Sequence, residues 1–195
     1  MAILSGIKTT YQFGKKHRKG FGWLLGIIIV GFLLPEPLII PVEDATRKDW
    51  NQNTFWAEPW SESSVHRGID IFAPQSKPVI APIYGIVLYR GQDYEKGGNV
   101  IWMLGPKWKL HYFAHLNKYD VSFLEPVRQG EKIGEVGNTG NAKGKSPHLH
   151  YSIVTPIPYT SRYDSNSTYG WQKMFFLNPS ELLPGYVPPK KNSEE

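Results

Sequence analysis

The hydrophobic and polar positions divide the chain unevenly. A polar, basic stretch with Lys8, Lys15, Lys16, Arg18 and Lys19 precedes the uncharged apolar run Phe21 to Leu34. Pro35 and Pro37 interrupt that run before Leu38-Ile39-Ile40 resumes it. From Val79 onward the pattern is of short runs rich in branched residues, punctuated by Pro82, Gly91 and Gly105-Pro106, which predicts strands and turns. Asn99 to Leu104 and Trp108 to Phe113 flank Gly105-Pro106 as a hairpin would. A turn at Val127 to Glu131 leads into a further strand at Ile133 to Gly137, and Tyr151 to Val154 favours another. No long stretch carries helical periodicity, so the fold expected is mostly antiparallel β. Pro156 to Gly170 reads as a long loop, and Asn178 to Leu183 as a short helix.

A basic flank before an apolar run is the pattern of an export signal or a signal-anchor helix. The run is shorter than the roughly 20 residues that span a bilayer, and no small-x-small cleavage site follows it. The organisation expected is therefore a basic cytoplasmic N-terminus at 1–20 and a signal-anchor or transmembrane segment at 21–40. A linker and lead-in follow at 41–63, then a folded domain at 64–186 and a polar tail at 187–195. The positive-inside rule places everything after the anchor outside the cytoplasmic membrane as a single-pass protein, the alternative being secretion after cleavage. The aromatics of the lead-in, Trp50, Phe55, Trp56 and Trp60, are expected to pack onto the domain or line its groove.

Composition narrows the chemistry. At 195 residues the chain suits one domain with extensions, and it holds no cysteine, which excludes disulfides and thiolate metal sites. A formal net charge of +5 favours anionic surroundings such as lipid headgroups or wall polymers. No nucleic-acid motif accompanies it, so nucleic acid is not an expected partner.

Five of the six histidines fall, with one aspartate, into three short clusters. His148 and His150 are two apart on a predicted strand and point to one face. On the same reasoning His111, Phe113 and His115 share one face of their strand. Four extended residues span roughly 13 Å, too far for His66 and Asp70 to close on one ion, unless Gly68 lets the chain bend. Two imidazoles and a carboxylate are a common ligand set for a catalytic zinc, with the fourth position left for water.

The stretch from Ser64 to Val154 resembles the lysostaphin-type zinc metallopeptidases, which cut peptide bonds of bacterial cell wall. The residues that carry the resemblance are His66-Arg67-Gly68-Ile69-Asp70 with Ala73-Pro74 and Pro78-Val79, Tyr112-Phe113-Ala114-His115-Leu116, and Gly137-Asn138-Thr139-Gly140 before Pro147-His148-Leu149-His150. Ser76-Lys77 stands where the family often has Gly-Thr, and the spacer Asn141 to Ser146 is longer than in many members, which would reshape a groove wall. The resemblance implies a β-sheet core whose groove holds one zinc ion per chain on His66, Asp70 and His150. It implies His115 and His148 as catalytic residues beside the substrate, without deciding which is the base. No His-Glu-x-x-His helix is present, so histidine must carry the proton. Asn99 and His111 are further candidates for substrate contact, although for His111 a structural role is the preferred reading. The expected function is zinc-dependent hydrolysis of peptidoglycan peptides at the membrane face. The alternative is a non-catalytic regulator of other wall hydrolases, or a peptidase acting on proteins.

Overall fold

The computed structural model describes residues 22–60, 64–93 and 96–184. The basic stretch expected at 1–20 and the polar tail expected at 187–195 lie outside the described residues. The chain forms two compact units, 1–35 and 36–195. In the first, residues 22–33 are helical. The apolar segment expected at 21–40 does not continue as one helix: the backbone bends at Leu34 and is extended from Pro35. Proline lacks the N–H that a helix interior needs, and it restricts the residue before it. Among the described residues, no helix is long and apolar enough to cross a membrane.

Residues 36–40 belong to the second unit. Leu38 is part of its hydrophobic core, and the Ile39 N–H donates to the Pro82 carbonyl at 2.9 Å. Lys109 Nζ donates to Glu36 Oε2 at 2.5 Å, and both side chains are buried.

The second unit is built on antiparallel strands, as the short branched runs predict. These are β1 (Ile69–Phe72), β2 (Pro78–Ile80), β3 (Gly85–Asp93), β4 (Gly98–Leu104), β5 (Leu110–Leu116), β6 (Lys118–Tyr119), β7 (Pro126–Val127), β8 (Lys132–Glu135), β9 (His148–Val154) and β10 (Phe176–Leu177). Among the described residues, seven strands form one sheet in the order β1-β9-β5-β4-β3-β7, with β10 also on β9. β2, β8 and β6 form a second sheet. β9 pairs along one edge with β5 and along the other with β1 and then β10. The hairpin expected around Gly105-Pro106 is β4–β5, and the short helix expected near the end is Pro179–Leu182.

Tyr151, Phe113, Ile69, Ile71, Leu149 and Ile153 are fully buried. Each such side chain contributes on the order of 1.5–3 kcal/mol of transfer free energy. The lead-in packs onto this body as expected. Trp50 Nε1 donates to Ser180 Oγ at 2.8 Å, and Trp56 Nε1 to Ser167 Oγ at 2.8 Å.

Candidate metal centre and cleft

β9 is regular, so alternation places His148, His150 and Ser152 on one face, along a cleft of about 590 Å³. Asp70 on β1 stands directly opposite His150 in the register. His66 precedes β1 and returns to the same point. Gly68 permits this by closeness rather than by a left-handed backbone. A Cβ there would lie 2.4 Å from the Tyr151 carbonyl oxygen, 2.5 Å from Ser152 Oγ and 2.9 Å from His150 Nε2.

Three ligand atoms meet as a result. Asp70 Oδ1 lies 3.0 Å from His66 Nε2 and 2.8 Å from His150 Nδ1, and the two nitrogens are 3.1 Å apart. A tetrahedral zinc with bonds of about 2.0–2.1 Å has ligand atoms about 3.3 Å apart, so this triangle matches one face of such a site. The remaining ring nitrogens suit the role. His66 Nδ1 donates to the Thr54 carbonyl at 2.9 Å, and His150 Nε2 pairs with Ser152 Oγ at 3.0 Å. The carbonyl fixes the His66 tautomer with its Nε2 lone pair aimed at the cluster, and the Ser152 hydroxyl can accept from His150 Nε2–H to leave Nδ1 for the same point. Trp60 stacks on the His66 ring with centroids 4.2 Å apart and planes 15° from parallel. Burial works to raise the Asp70 carboxyl, but the hydrogen bonds from His150 and His66 outweigh it and hold the group ionised well below the usual range. Burial pushes His150 down, against the pull of Asp70.

His115 reaches this face by a route that alternation did not foresee. The β4–β5 register shifts between Asn99 and Ile101, so Ala114 and His115 together oppose Val100 in a bulge. His115 takes φ 63°, a left-handed conformation. Ala114 and His115 therefore both line the cleft although they are successive. Phe113 and Leu116 face the core. The expectation that His111, Phe113 and His115 share a face is thus corrected. His115 Nδ1 donates to the Thr139 carbonyl at 2.9 Å, and His148 Nδ1 to the Ser146 carbonyl at 2.8 Å. In both rings Nε2 is the nitrogen left for the cleft. The two ring centroids are 5.0 Å apart. Burial, then the neighbouring His150 and His148, depress His115 to about 4.

The other two candidates lie elsewhere. His111 is fully buried in the core, its Nδ1 2.7 Å from the Tyr151 hydroxyl and its Nε2 without a hydrogen bond. Asn99 fastens a turn instead of facing the cleft: its side-chain amide donates to the Leu116 and Asn117 carbonyls at 3.1 and 3.0 Å. Sequence reasoning missed Ser152, which shares the parity of His148 and His150 and was legible on that ground. It also missed the stacking of Trp60 on His66, which no local pattern encodes.

The profile of peptidase family M23 matches residues 64–164. The chain belongs to peptidase family M23. Over 114 residues it is 39% identical to the DD-carboxypeptidase/endopeptidase Mpg of Neisseria meningitidis serogroup B, covering 51% of this chain and 25% of that protein. Over 90 residues it is 34% identical to the peptidoglycan DD-endopeptidase ShyC of Vibrio cholerae, covering 46% and 20%. The solved catalytic domain of lysostaphin from Staphylococcus simulans aligns with a TM-score of 0.51 at 26% identity, over 64% of this chain and 84% of that one. The chain spans a quarter of the length of Mpg and a fifth of that of ShyC. The M23 fold accounts for the mostly antiparallel architecture and for the separation of the clusters along the chain.

Proposed function

We propose that this M23 chain is a zinc-dependent endopeptidase that hydrolyses peptide bonds of bacterial peptidoglycan, in cross-links or stem peptides. The observation that carries the reading is the triangle of His66, Asp70 and His150 ligand atoms, with His115 and His148 in the same cleft. Two nitrogens and one carboxylate oxygen are a donor set suited to zinc. Zinc held there supplies a Lewis acid for the scissile carbonyl and brings the pKa of water towards neutrality.

The chain's own residues handle the proton and the developing charge. His115 and His148 each keep a proton on Nδ1, donated to a backbone carbonyl, so the neutral ring offers a lone pair at Nε2. That nitrogen can take a proton from the attacking water and pass it to the leaving amine. The partner ring, when protonated on both nitrogens, donates from Nε2 to the oxyanion, a contribution of a few kcal/mol. Burial depresses His115 to about 4, which keeps its ring neutral and its Nε2 lone pair available at physiological pH.

A wall substrate places the catalytic unit on the extracytoplasmic side, with the basic, apolar N-terminal stretch holding it at the membrane face. Fractionation of cells expressing the full chain tests this, and recovery of the chain in the cytosol overturns it.

The function is tested with the full chain and its His115→Ala and His148→Ala variants, measuring zinc by elemental analysis and release of peptides from purified peptidoglycan. We expect one zinc per chain in all three, with rates in the variants lowered by about 10²–10⁴. Zinc without wall digestion by the parent would instead favour a binding regulator. Release of peptides from casein alone would overturn the substrate class.

A further inference from the structure

The cleft carries uncommitted positive charge on one wall. Lys96, between β3 and β4, and Lys145, in the loop after Gly140, both line it. Neither makes an ion pair among the described residues, whereas Lys77, Lys107, Lys109, Lys118, Lys132 and Lys173 all do. The two segments that carry them are fastened together. The Asn141 N–H donates to the Lys96 carbonyl at 2.9 Å. Gly140, at φ 66°, approaches so closely that a Cβ would lie 2.2 Å from that same oxygen. The Asn99 N–H donates to Thr139 Oγ1 at 2.9 Å, adding a second tie between the segments. Both lysine backbones thus start from fixed positions.

The other charged side chains that line the cleft are positioned by neighbours, although Arg67 keeps its positive charge there. Asp70 is held by His66 and His150. Asp93 accepts from the Lys96 N–H at 3.3 Å and hydrogen-bonds with Tyr112, whose hydroxyl burial and Asp93 hold above its usual range. Arg67 donates from Nε to Gln172 Oε1 at 3.0 Å and lies over the Tyr169 ring at 5.1 Å. Among the described residues that line the cleft, the two ammonium groups are the cations for which no side-chain partner is seen.

We propose that Lys96 and Lys145 form a carboxylate-binding subsite, so that the preferred substrate is a peptide with a free carboxylate close to the scissile bond. The inference rests on the endopeptidase reading and narrows it. The long spacer from Asn141 to Ser146 gains a role: it brings Lys145 to the cleft wall.

The test uses zinc-loaded full chain and four cross-linked peptides sharing one scissile bond. One has all carboxylates free, one a C-terminal carboxamide, one a side-chain carboxamide and one both caps. We expect kcat/KM to fall about tenfold, through KM, when the recognised carboxylate is capped. The arm that shows the fall tells a terminal carboxylate from a side-chain one. In a Lys96→Gln/Lys145→Gln double variant the free-to-capped ratio should drop to about one, and Lys96→Arg/Lys145→Arg should keep the preference. Equal cleavage of all four peptides by the parent overturns the subsite while leaving the endopeptidase reading intact. A preference that survives the double glutamine variant also overturns it. No cleavage of any peptide overturns the endopeptidase reading and this inference with it.

Discussion

Asp70 faces His150 across the β1–β9 register, and its Oδ1 lies 2.8 Å from His150 Nδ1. Two ligands of the candidate metal centre are therefore set by ordinary antiparallel pairing. The third, His66, depends on how closely the chain before β1 approaches β9, and Gly68 sets that approach. Gly68→Ala should destabilise the fold by about 1–3 kcal/mol and lower bound zinc together with it. Urea unfolding and elemental analysis on the same preparation decide the point. Unchanged zinc and stability would show that the strand can shift to admit a methyl group.

Ser152 holds the ring of His150 through Nε2 at 3.0 Å and is itself buried. Ser152→Ala should weaken zinc binding about 10–100-fold while leaving the fold intact. Competition with a chromophoric chelator measures the affinity directly. Parent-like affinity would mean that the Asp70 contact alone orients the ring.

Glu36 and Lys109 form a buried ion pair, and Leu38 lies in the core. A chain beginning at Pro41 should therefore be less stable than one beginning at Glu36 by about 3–5 kcal/mol, because it leaves a buried ammonium without its carboxylate. Denaturant midpoints of the two chains compare them. Equal midpoints would show that residues 36–40 add nothing to the fold.

His111 makes stability depend on acid. Burial, then Lys109, depress it to about 3 in the folded chain, against about 6.5 when unfolded. Between those values the unfolded chain binds a proton that the folded one refuses. The stabilisation is fully present above about pH 6.5 and is lost as pH falls towards 3. His111→Gln removes this step, so its loss of stability between pH 7 and pH 4 should be smaller than the parent's by a few kcal/mol. Chemical denaturation of both proteins at the two pH values reads out the difference. An equal loss would assign the acid sensitivity to other groups.

Much of the site was legible because β9 is regular. Once a strand was expected at His148 to Val154, period two put His148 and His150 on one face, and three motifs in order tied them to His66, Asp70 and His115. The short branched runs likewise gave the antiparallel class and the β4–β5 hairpin, since such runs suit a pleated, half-buried surface. What alternation could not supply was the bulge at Val100. It turns His115 into the cleft and leaves His111 in the core, and only the pairing of β4 with β5 shows it.

The apolar stretch from Phe21 to Ile40 marks the same boundary. By itself the sequence determined that two prolines interrupt the run, because proline's missing N–H and fixed φ act locally. Only the tertiary structure decided that Glu36 and Leu38 belong to the β-sheet body. Their partners, Lys109 and the core beneath the sheet, are distant in sequence, and packing with them is a property of the folded chain. The sequence likewise determined which side chains can bind a metal, by their chemistry. The fold decided that three of their atoms lie about 3 Å apart, because strand pairing and the close approach at Gly68 hold them there.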